Sequence, residues 1–143
     1  MKLNFHEEVK AVFGYSAAIT SAAILKSKVI DRRGYNGVEF IFNYGLTGSA
    51  ADTHTVTILE CDNSTTGNFT SVADTYLDGT EALAGCAAAA LTSGVRINVS
   101  KRIGYKGNKR YVRAYCVGAG SPTTIGSCTA LLYAPEVAAV SNP

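Results

Sequence analysis

Strict alternation of side chains over residues 111–117 constrains the fold more than any other feature of this sequence. The segment reads Tyr-Val-Arg-Ala-Tyr-Cys-Val, so aromatic and basic side chains point one way and small apolar ones point the other. A period of two with β-branched and aromatic residues is typical of a strand with one buried face. Gly104, Gly107 and Asn108 precede it and predict a tight turn with positive φ. The sequence therefore predicts a basic loop that leads into a central strand.

Further short segments with alternating or β-branched composition are separated by turn residues. We predict strands at residues 25–30, 38–44, 55–61, 68–72, 95–100 and 125–133. Residues 31–34 and 62–67 are typical of turns, because Asx and Ser side chains can bond their own backbone. In residues 81–91 alanine favours a helix, whereas Gly85 and the surrounding strands favour a strand or a loop. This pattern predicts an all-β fold, an antiparallel β-sandwich or jelly-roll-like domain.

A chain of 143 residues corresponds to one domain. We assign residues 25–135 to the β-sandwich, residues 136–143 to a C-terminal tail and residues 1–24 to an N-terminal arm. Gly14 and a run of small residues interrupt any clear period in the arm. Its candidate contact residues are Val9, Val12, Phe13 and Tyr15. We expect residues 1–20 to dock on a neighbouring subunit or on a partner protein, and their removal to leave the sandwich folded.

Charge is segregated along the chain although the formal net charge is only +2. No Lys or Arg lies between Gly34 and Val95, whereas residues 101–113 contain six of the thirteen cations and no carboxylate. Two interpretations are open: two solvated faces of opposite sign, or complementary surfaces on neighbouring subunits. The second interpretation predicts a homotrimer in which the acidic residues 52–81 of one subunit face the basic residues 101–113 of the next.

Few residues suit catalysis or metal binding. His6 and His54 are far apart, and Asp52 near His54 lacks the third group that a nucleophilic site needs. Cysteines at 61, 86, 116 and 128 form no C-x-x-C pair, which argues against zinc. We expect no catalytic residue, no metal and no cofactor, and therefore no enzyme.

Nucleic acid and membrane are not expected as partners. The tyrosines among the cations of residues 105–115 could stack bases, but alternate tyrosines on a strand are more often cross-strand packing residues. No apolar run reaches the roughly 18 residues of a membrane span. Glu7 and Glu8 lie where a signal peptide has its apolar core, so we do not expect export.

Several blocks of sequence occur in a characteristic order: residues 30–35 before a Val/Phe strand, residues 59–64 with 69–74, and residues 104–113. In this order they resemble the capsid decoration or cement proteins of tailed bacteriophages. The resemblance covers about residues 28–133, and the block Gly-Tyr-Lys-Gly-Asn-Lys-Arg-Tyr-Val-Arg at 104–113 is its most specific part. The sequence departs from the family at Cys61 and in the Ala-rich segment around Cys86.

The resemblance implies a virion protein that assembles in the host cytoplasm. It would bind the major capsid protein on the outer capsid surface as a homotrimer and stabilise the shell against internal DNA pressure. The expected capsid or subunit contacts are Val9, Val12, Phe13, Tyr15, Arg32, Arg33, Tyr105, Lys106, Lys109 and Arg110. The alternative is a host- or carbohydrate-binding adhesion module on the same scaffold, although the chain contains no Trp for a sugar platform.

The last two predicted strands are expected to pair as a hairpin across residues 118–123. A register with Cys116 opposite Cys128 keeps one face small or apolar, whereas a one-residue slip would bury Arg113 or Tyr115. Because a phage head assembles in reducing cytoplasm, we expect both cysteines as buried, unreactive free thiols.

Overall fold

Residues 5–19, 23–45, 53–63, 68–85, 99–119 and 124–136 are described by the structure, a computed structural model. Their elements in chain order are α1 Phe5–Glu8, β1 Lys10–Ile19, β2 Ile24–Lys26, β3 Ile30–Asp31, β4 Tyr35–Tyr44, β5 Thr53–Cys61, β6 Thr70–Ser71, β7 Leu77–Asp78, α2 Glu81–Ala84, β8 Val99–Tyr105, β9 Tyr111–Ala119 and β10 Thr124–Pro135. A 3₁₀ turn spans Asp74–Tyr76 between β6 and β7.

The strands form two antiparallel sheets. The first sheet has the order β1-β10-β4-β8-β7, and the second has the order β2-β9-β5-β6, with β3 also paired to β9. Every strand pairing among the described residues is antiparallel. The predicted all-β sandwich is therefore confirmed.

Side chains that alternate with a period of two fill the core between the sheets. On β4, every second residue from Val38 to Tyr44 is buried, and on β9 every second residue from Val112 to Gly118 is buried. This is the pattern expected for strands that each contribute one face to a sandwich core. The predicted strands at 38–44, 55–61 and 111–117 are confirmed.

The expected N-terminal arm is in part a strand of the sandwich. Residues 10–19 form β1, which pairs with β10 along its length and contains a β-bulge at Gly14. Tyr15 and Ile19 are buried in the core between the sheets. The assignment of residues 1–24 to an arm is therefore wrong for residues 10–19, because these residues complete an edge of the first sheet.

The strand predicted at 25–30 is interrupted at Ser27. The Ser27 amide donates to the Ala114 carbonyl at 2.8 Å, and the Ser27 hydroxyl accepts from the Ala114 amide at 2.9 Å. The buried hydroxyl thus takes the place of a backbone acceptor, and pairing with β9 resumes only at Ile30. The turn after β3 is confirmed, with Gly34 at φ 85°.

The predicted hairpin of the last two strands is wrong. β9 lies in the second sheet between β2 and β5, whereas β10 lies in the first sheet between β1 and β4. Cys116 therefore pairs with Leu25 and Val56, and Cys128 pairs with Tyr15 and Phe42. Both thiols are buried and free, and they project into the core from opposite sheets.

The predicted positive φ at Gly104 and Gly107 is also wrong, since the positive-φ glycines among the described residues are Gly34 and Gly79. Gly104 belongs to β8, where a Cβ would come within 2.7 Å of the Glu39 carboxylate. A Cβ on Gly107 would collide with the Tyr105 ring. These glycines therefore permit close packing rather than a left-handed turn.

Other predicted segments are only partly covered by the described residues. β6 pairs with β5 as expected, while residues 64–67 of the predicted turn lie outside the described residues. Residues 86–98 also lie outside the described residues, so the strand predicted at residues 95–100 is confirmed only for Val99 and Ser100, which begin β8. The final strand ends at Pro135 as predicted, and residues 137–143 lie outside the described residues.

Candidate functional site: a basic end of the sandwich

Two connections that cross between the sheets meet at one end of the sandwich. The Asp31 carboxylate accepts from Arg110 Nε at 3.0 Å and from Arg110 Nη2 at 2.7 Å. The Arg32 amide donates to the Arg110 carbonyl at 3.0 Å. We call residues 31–34 and 106–110 the basic end. The hydrogen bond from Arg110 lowers the pKa of Asp31, so this carboxylate remains charged at neutral pH.

Arg32 holds the basic end together from inside. Its Nε donates to the Lys109 carbonyl at 2.5 Å, and its Nη1 donates to the Asn36 carbonyl at 3.0 Å. The guanidinium also lies 5.5 Å from the centroid of the Tyr105 ring. Because its donors bond the backbone of residues 106–110 and of the start of β4, Arg32 is a structural residue, while Arg33 beside it is exposed.

Tyr105 lies beneath the basic end and is fully buried. Its hydroxyl donates to Glu60 Oε2 at 2.5 Å and accepts from the Lys109 amide at 3.0 Å. Burial, together with the bond to Glu60, raises the pKa of the Tyr105 hydroxyl, so it stays protonated. Tyr105 was expected to contact a partner, but a side chain at this depth supports the loop instead.

Cations of the basic loop form ion pairs with acidic residues of the same chain. Lys106 pairs with Asp78 at 2.6 Å and Lys109 pairs with Asp62 at 2.5 Å. Exposed pairs of this kind contribute only about 0–1 kcal/mol each to stability. They do, however, place acidic residues 62 and 78 against the basic loop of their own subunit. The pattern that was expected to join neighbouring subunits is therefore partly satisfied internally.

The candidate residues at the start of the chain divide between core and surface. Tyr15 is buried and Val12 packs against the core, while Val9 is half-buried just before β1. Phe13 projects from the opposite face of β1 and is 57% exposed. The Lys28 ammonium lies 5.8 Å from its ring centroid. Of these four candidates, Phe13 presents the largest accessible apolar surface.

The tyrosines of β9 pack against cations on the outer face of the second sheet. Arg110 lies 4.8 Å from the Tyr111 ring centroid, and Arg113 lies 5.0 Å from that of Tyr115. Lys26 covers the same Tyr115 ring at 5.3 Å. Both tyrosines are half-buried, which agrees with their interpretation as packing residues.

The thiols of Cys116 and Cys128 and the ring of His54 are buried. Burial raises the pKa of the Cys116 thiol, and burial with the neighbouring Cys116 raises that of Cys128 to about 12, so neither thiol is activated. His54 is 2% exposed and its ring lies 5.3 Å from that of Tyr44. Among the described residues, no cluster of three or more metal-ligating side chains occurs. No described helix is long and apolar enough to cross a membrane.

Sequence reasoning missed three exposed apolar residues and one groove. Ile24, Tyr76 and Leu83 are 50%, 46% and 67% exposed, and each lies in an element too short to show a period. An open groove of about 440 Å³ runs beside β5 and α2. It is lined by Thr53, His54, Thr55, Val56, Thr57, Glu81, Ala82 and Gly85.

No protein-family model matches this chain, and no curated protein matches its sequence. Among solved structures, the PBSX exported protein XepA is similar over 93% of this chain, with a TM-score of 0.57 and 17% identity. The chain spans 40% of the length of that XepA structure. At this identity and coverage, the similarity to XepA shows a similar fold and nothing more.

Two further solved structures align over most of the chain. The disulfide-linked pili of Bacillus endospore appendages align over 95% of this chain and 96% of theirs, with 12% identity and a TM-score of 0.41. The CBM22-1 and GH10 modules of a Clostridium thermocellum xylanase, complexed with xylohexaose, align over 96% of this chain and 29% of theirs. Their identity is 12% and their TM-score 0.49.

Proposed function

We propose that this chain is a non-enzymatic structural protein of a bacteriophage head. It binds the major capsid protein on the outer surface of the shell as a trimeric cement or decoration protein and stabilises the shell against internal DNA pressure. The ordered sequence blocks that resemble this family support the proposal. The fold similarity to a phage-associated protein, XepA of PBSX, is consistent with it.

The observation that carries the proposal is the rigid basic end. Its two connections each cross from one sheet to the other and are fastened together by Arg32 and by the Arg110–Asp31 pair, so the surface is organised before a partner arrives. Preorganisation lowers the entropy lost on binding. Five cations, at 32, 33, 106, 109 and 110, lie here, in two of the blocks on which the resemblance depends. An acidic area of the capsid surface is the complementary partner.

Co-sedimentation with heads that lack the protein tests this function. We expect the wild-type chain to pellet with heads, with binding that weakens as salt is added. A variant with Arg33→Glu and Lys106→Glu should lose most of this binding, because both exposed cations would become repulsive. The matched control carries Lys101→Glu and Arg102→Glu, which change the net charge equally on β8. Failure of the wild-type chain to pellet would refute the function, and equal binding by both variants would refute the basic end as the contact.

A second candidate function, host or carbohydrate binding, is favoured by the groove beside β5. Threonine hydroxyls and the Glu81 carboxylate line it, and groups of this kind can bond sugar hydroxyls. Glu81 Oε1 already accepts from the Ile58 amide at 2.6 Å, so part of its capacity is used by the fold. A glycan array separates the two functions: specific glycan binding that Thr55→Ala abolishes, with no binding to heads, would favour the adhesion module.

A further inference from the structure

The four large exposed apolar residues of the described chain fall on two opposite sides of the sandwich. Phe13 and Ile24 lie on β1 and β2, which are edge strands of the first and second sheets. These edges adjoin, since the Lys28 amide donates to the Gly14 carbonyl at 3.3 Å. Exposed apolar side chains grouped in this way mark contact surfaces more often than scattered ones do.

The other two exposed apolar residues lie at the far edges of both sheets. The chain passes there from β6 through the 3₁₀ turn and β7 to α2, and this path carries Tyr76 and Leu83. β6 and β7 are the edge strands opposite to β2 and β1. Glu81 fixes α2 against β5, the neighbour of edge strand β6, by accepting from the Ile58 amide.

The two segments that carry these residues have opposite formal charge. Residues 10–28 contain Lys10, Lys26 and Lys28 and no carboxylate, and within the described chain none of these lysines forms an ion pair. We call Lys10, Phe13, Ile24, Lys26 and Lys28 the basic side.

Residues 68–85 carry the complementary charge. They contain three carboxylates and no Lys or Arg. Asp78 pairs with Lys106, whereas Asp74 has no ion pair among the described residues. We call Asp74, Tyr76, Asp78, Glu81 and Leu83 the acidic side.

We propose that the basic side of one copy of this chain docks on the acidic side of the next. Each side presents two exposed apolar residues within a rim of charge, and the rims are complementary, which is the arrangement of a specific protein interface. Because the two surfaces are unlike, the contact is heterologous and repeats head to tail. Such a contact closes into a ring when the rotation between successive copies brings the last copy back to the first. This inference rests on the proposed function in one respect, which is that a decoration protein acts as an oligomer.

Complementation between two variants tests the contact, measured by analytical ultracentrifugation of the purified chain without heads. The first variant carries Lys26→Glu and Lys28→Glu, and the second carries Asp74→Lys and Leu83→Lys. The first variant reverses the charge of the basic side and the second cancels the charge of the acidic side, so each alone should associate at least about tenfold more weakly than wild type. Mixed in equal amounts, they should form heterodimers, because the unchanged basic side of the second variant can dock on the unchanged acidic side of the first.

The controls are Asn43→Glu and Asn43→Lys, which place one charge of either sign on β4 at the centre of the first sheet and should associate as wild type does. Circular dichroism confirms that each variant is folded. A wild-type chain that remains monomeric, variants that associate as tightly as wild type, or a mixture that fails to recover association would each overturn the proposal. Because heads are absent, these results are independent of whether the chain binds capsids.

Discussion

At the scale of single residues, the buried contact between Tyr105 and Glu60 supports the basic end. The Tyr105 hydroxyl joins a carboxylate on β5 to the Lys109 amide, so one side chain connects both sheets to the loop. Removing a hydroxyl at such a site leaves its two partners without a hydrogen bond.

We predict that Tyr105→Phe lowers the free energy of unfolding by about 1–3 kcal/mol, because the partners left behind lose a charge-assisted and a neutral hydrogen bond. Urea denaturation measures the change. Tyr111→Phe is the matched control, because that ring is half-buried on the outer face of the second sheet. Equal losses in the two variants would show that the hydroxyl of Tyr105 has no special role.

Glu39 provides a second prediction at this scale. Burial, with nearby Asp78, raises the pKa of its carboxyl, and this outweighs the attraction of exposed Arg102 at 3.7 Å. A carboxyl with a raised pKa binds protons more tightly in the folded state, so its contribution to stability falls as pH rises through its titration range. Glu39→Gln should therefore raise the melting temperature at about pH 7 and have little effect at about pH 3. A lower melting temperature at neutral pH would show that Arg102 dominates.

At the scale of elements, β1 depends on the bulge at Gly14. A Cβ at this position would lie 2.6 Å from the Cys128 carbonyl oxygen, and a backbone atom cannot move aside cheaply. The bulge also places Val12 and Tyr15, which are three residues apart, on the same inner face of the sheet.

We predict that Gly14→Ala destabilises the protein by about 1–3 kcal/mol through overpacking. Hydrogen exchange should become faster in residues 10–19 before it does elsewhere, because β1 is an edge strand. The control is Gly34→Ala, where the added Cβ meets nothing within 4 Å but the backbone has φ 85°. Gly34→Ala should lower the free energy of unfolding by about 1 kcal/mol. It should not make hydrogen exchange in β1 faster than in the rest of the protein. Unchanged exchange in β1 of Gly14→Ala would contradict this account of the bulge.

The same bulge explains which elements could be predicted from the sequence. β9 alternates with a period of two, as do β4 from Val38 to Tyr44 and β5 from Thr53 to Ile58, and the sequence predicts all three. In β1 the extra residue at Gly14 breaks the period, so its alternation could not be seen without the structure. The hairpin error has another cause: neighbouring strands in the sequence usually pair, whereas the connection from β9 to β10 crosses between the sheets.

Only part of the candidate site could be predicted from the sequence, for similar reasons. Its cations were identified from composition, but their partners are distant in sequence: Asp31 for Arg110, Asp62 for Lys109 and Asp78 for Lys106. Composition also could not reveal that Tyr105 is buried, because tyrosine is as common at surfaces as in cores. Only the sheet registers bring these groups together.

At the scale of the whole molecule, β1 is required for a complete core. Deleting residues 1–20 removes an entire edge of the first sheet together with buried Tyr15 and Ile19. Burial of Ile19 alone contributes about 1.5–3 kcal/mol, and the total stability of a domain is typically about 5–15 kcal/mol.

We therefore predict that the chain without residues 1–20 loses most of its cooperative thermal transition, in contrast to the expectation for a detachable arm. Phe13→Ser should keep that transition, because the ring is 57% exposed. Differential scanning calorimetry compares the two proteins with wild type. A deletion variant that melts as cooperatively as the full chain would show that β1 is dispensable.

The position of β10 has a consequence for synthesis on the ribosome. β10 is the last strand in chain order, yet it lies between β1 and β4 and supplies the hydrogen-bond partner of both. The first sheet cannot be completed until residues 124–135 have left the exit tunnel. Until then the nascent chain exposes the apolar faces of β1 and β4, as is common where pairing joins residues distant in sequence. Translation that stops before residue 124 therefore releases a chain in which these two strands lack the partner that joins them.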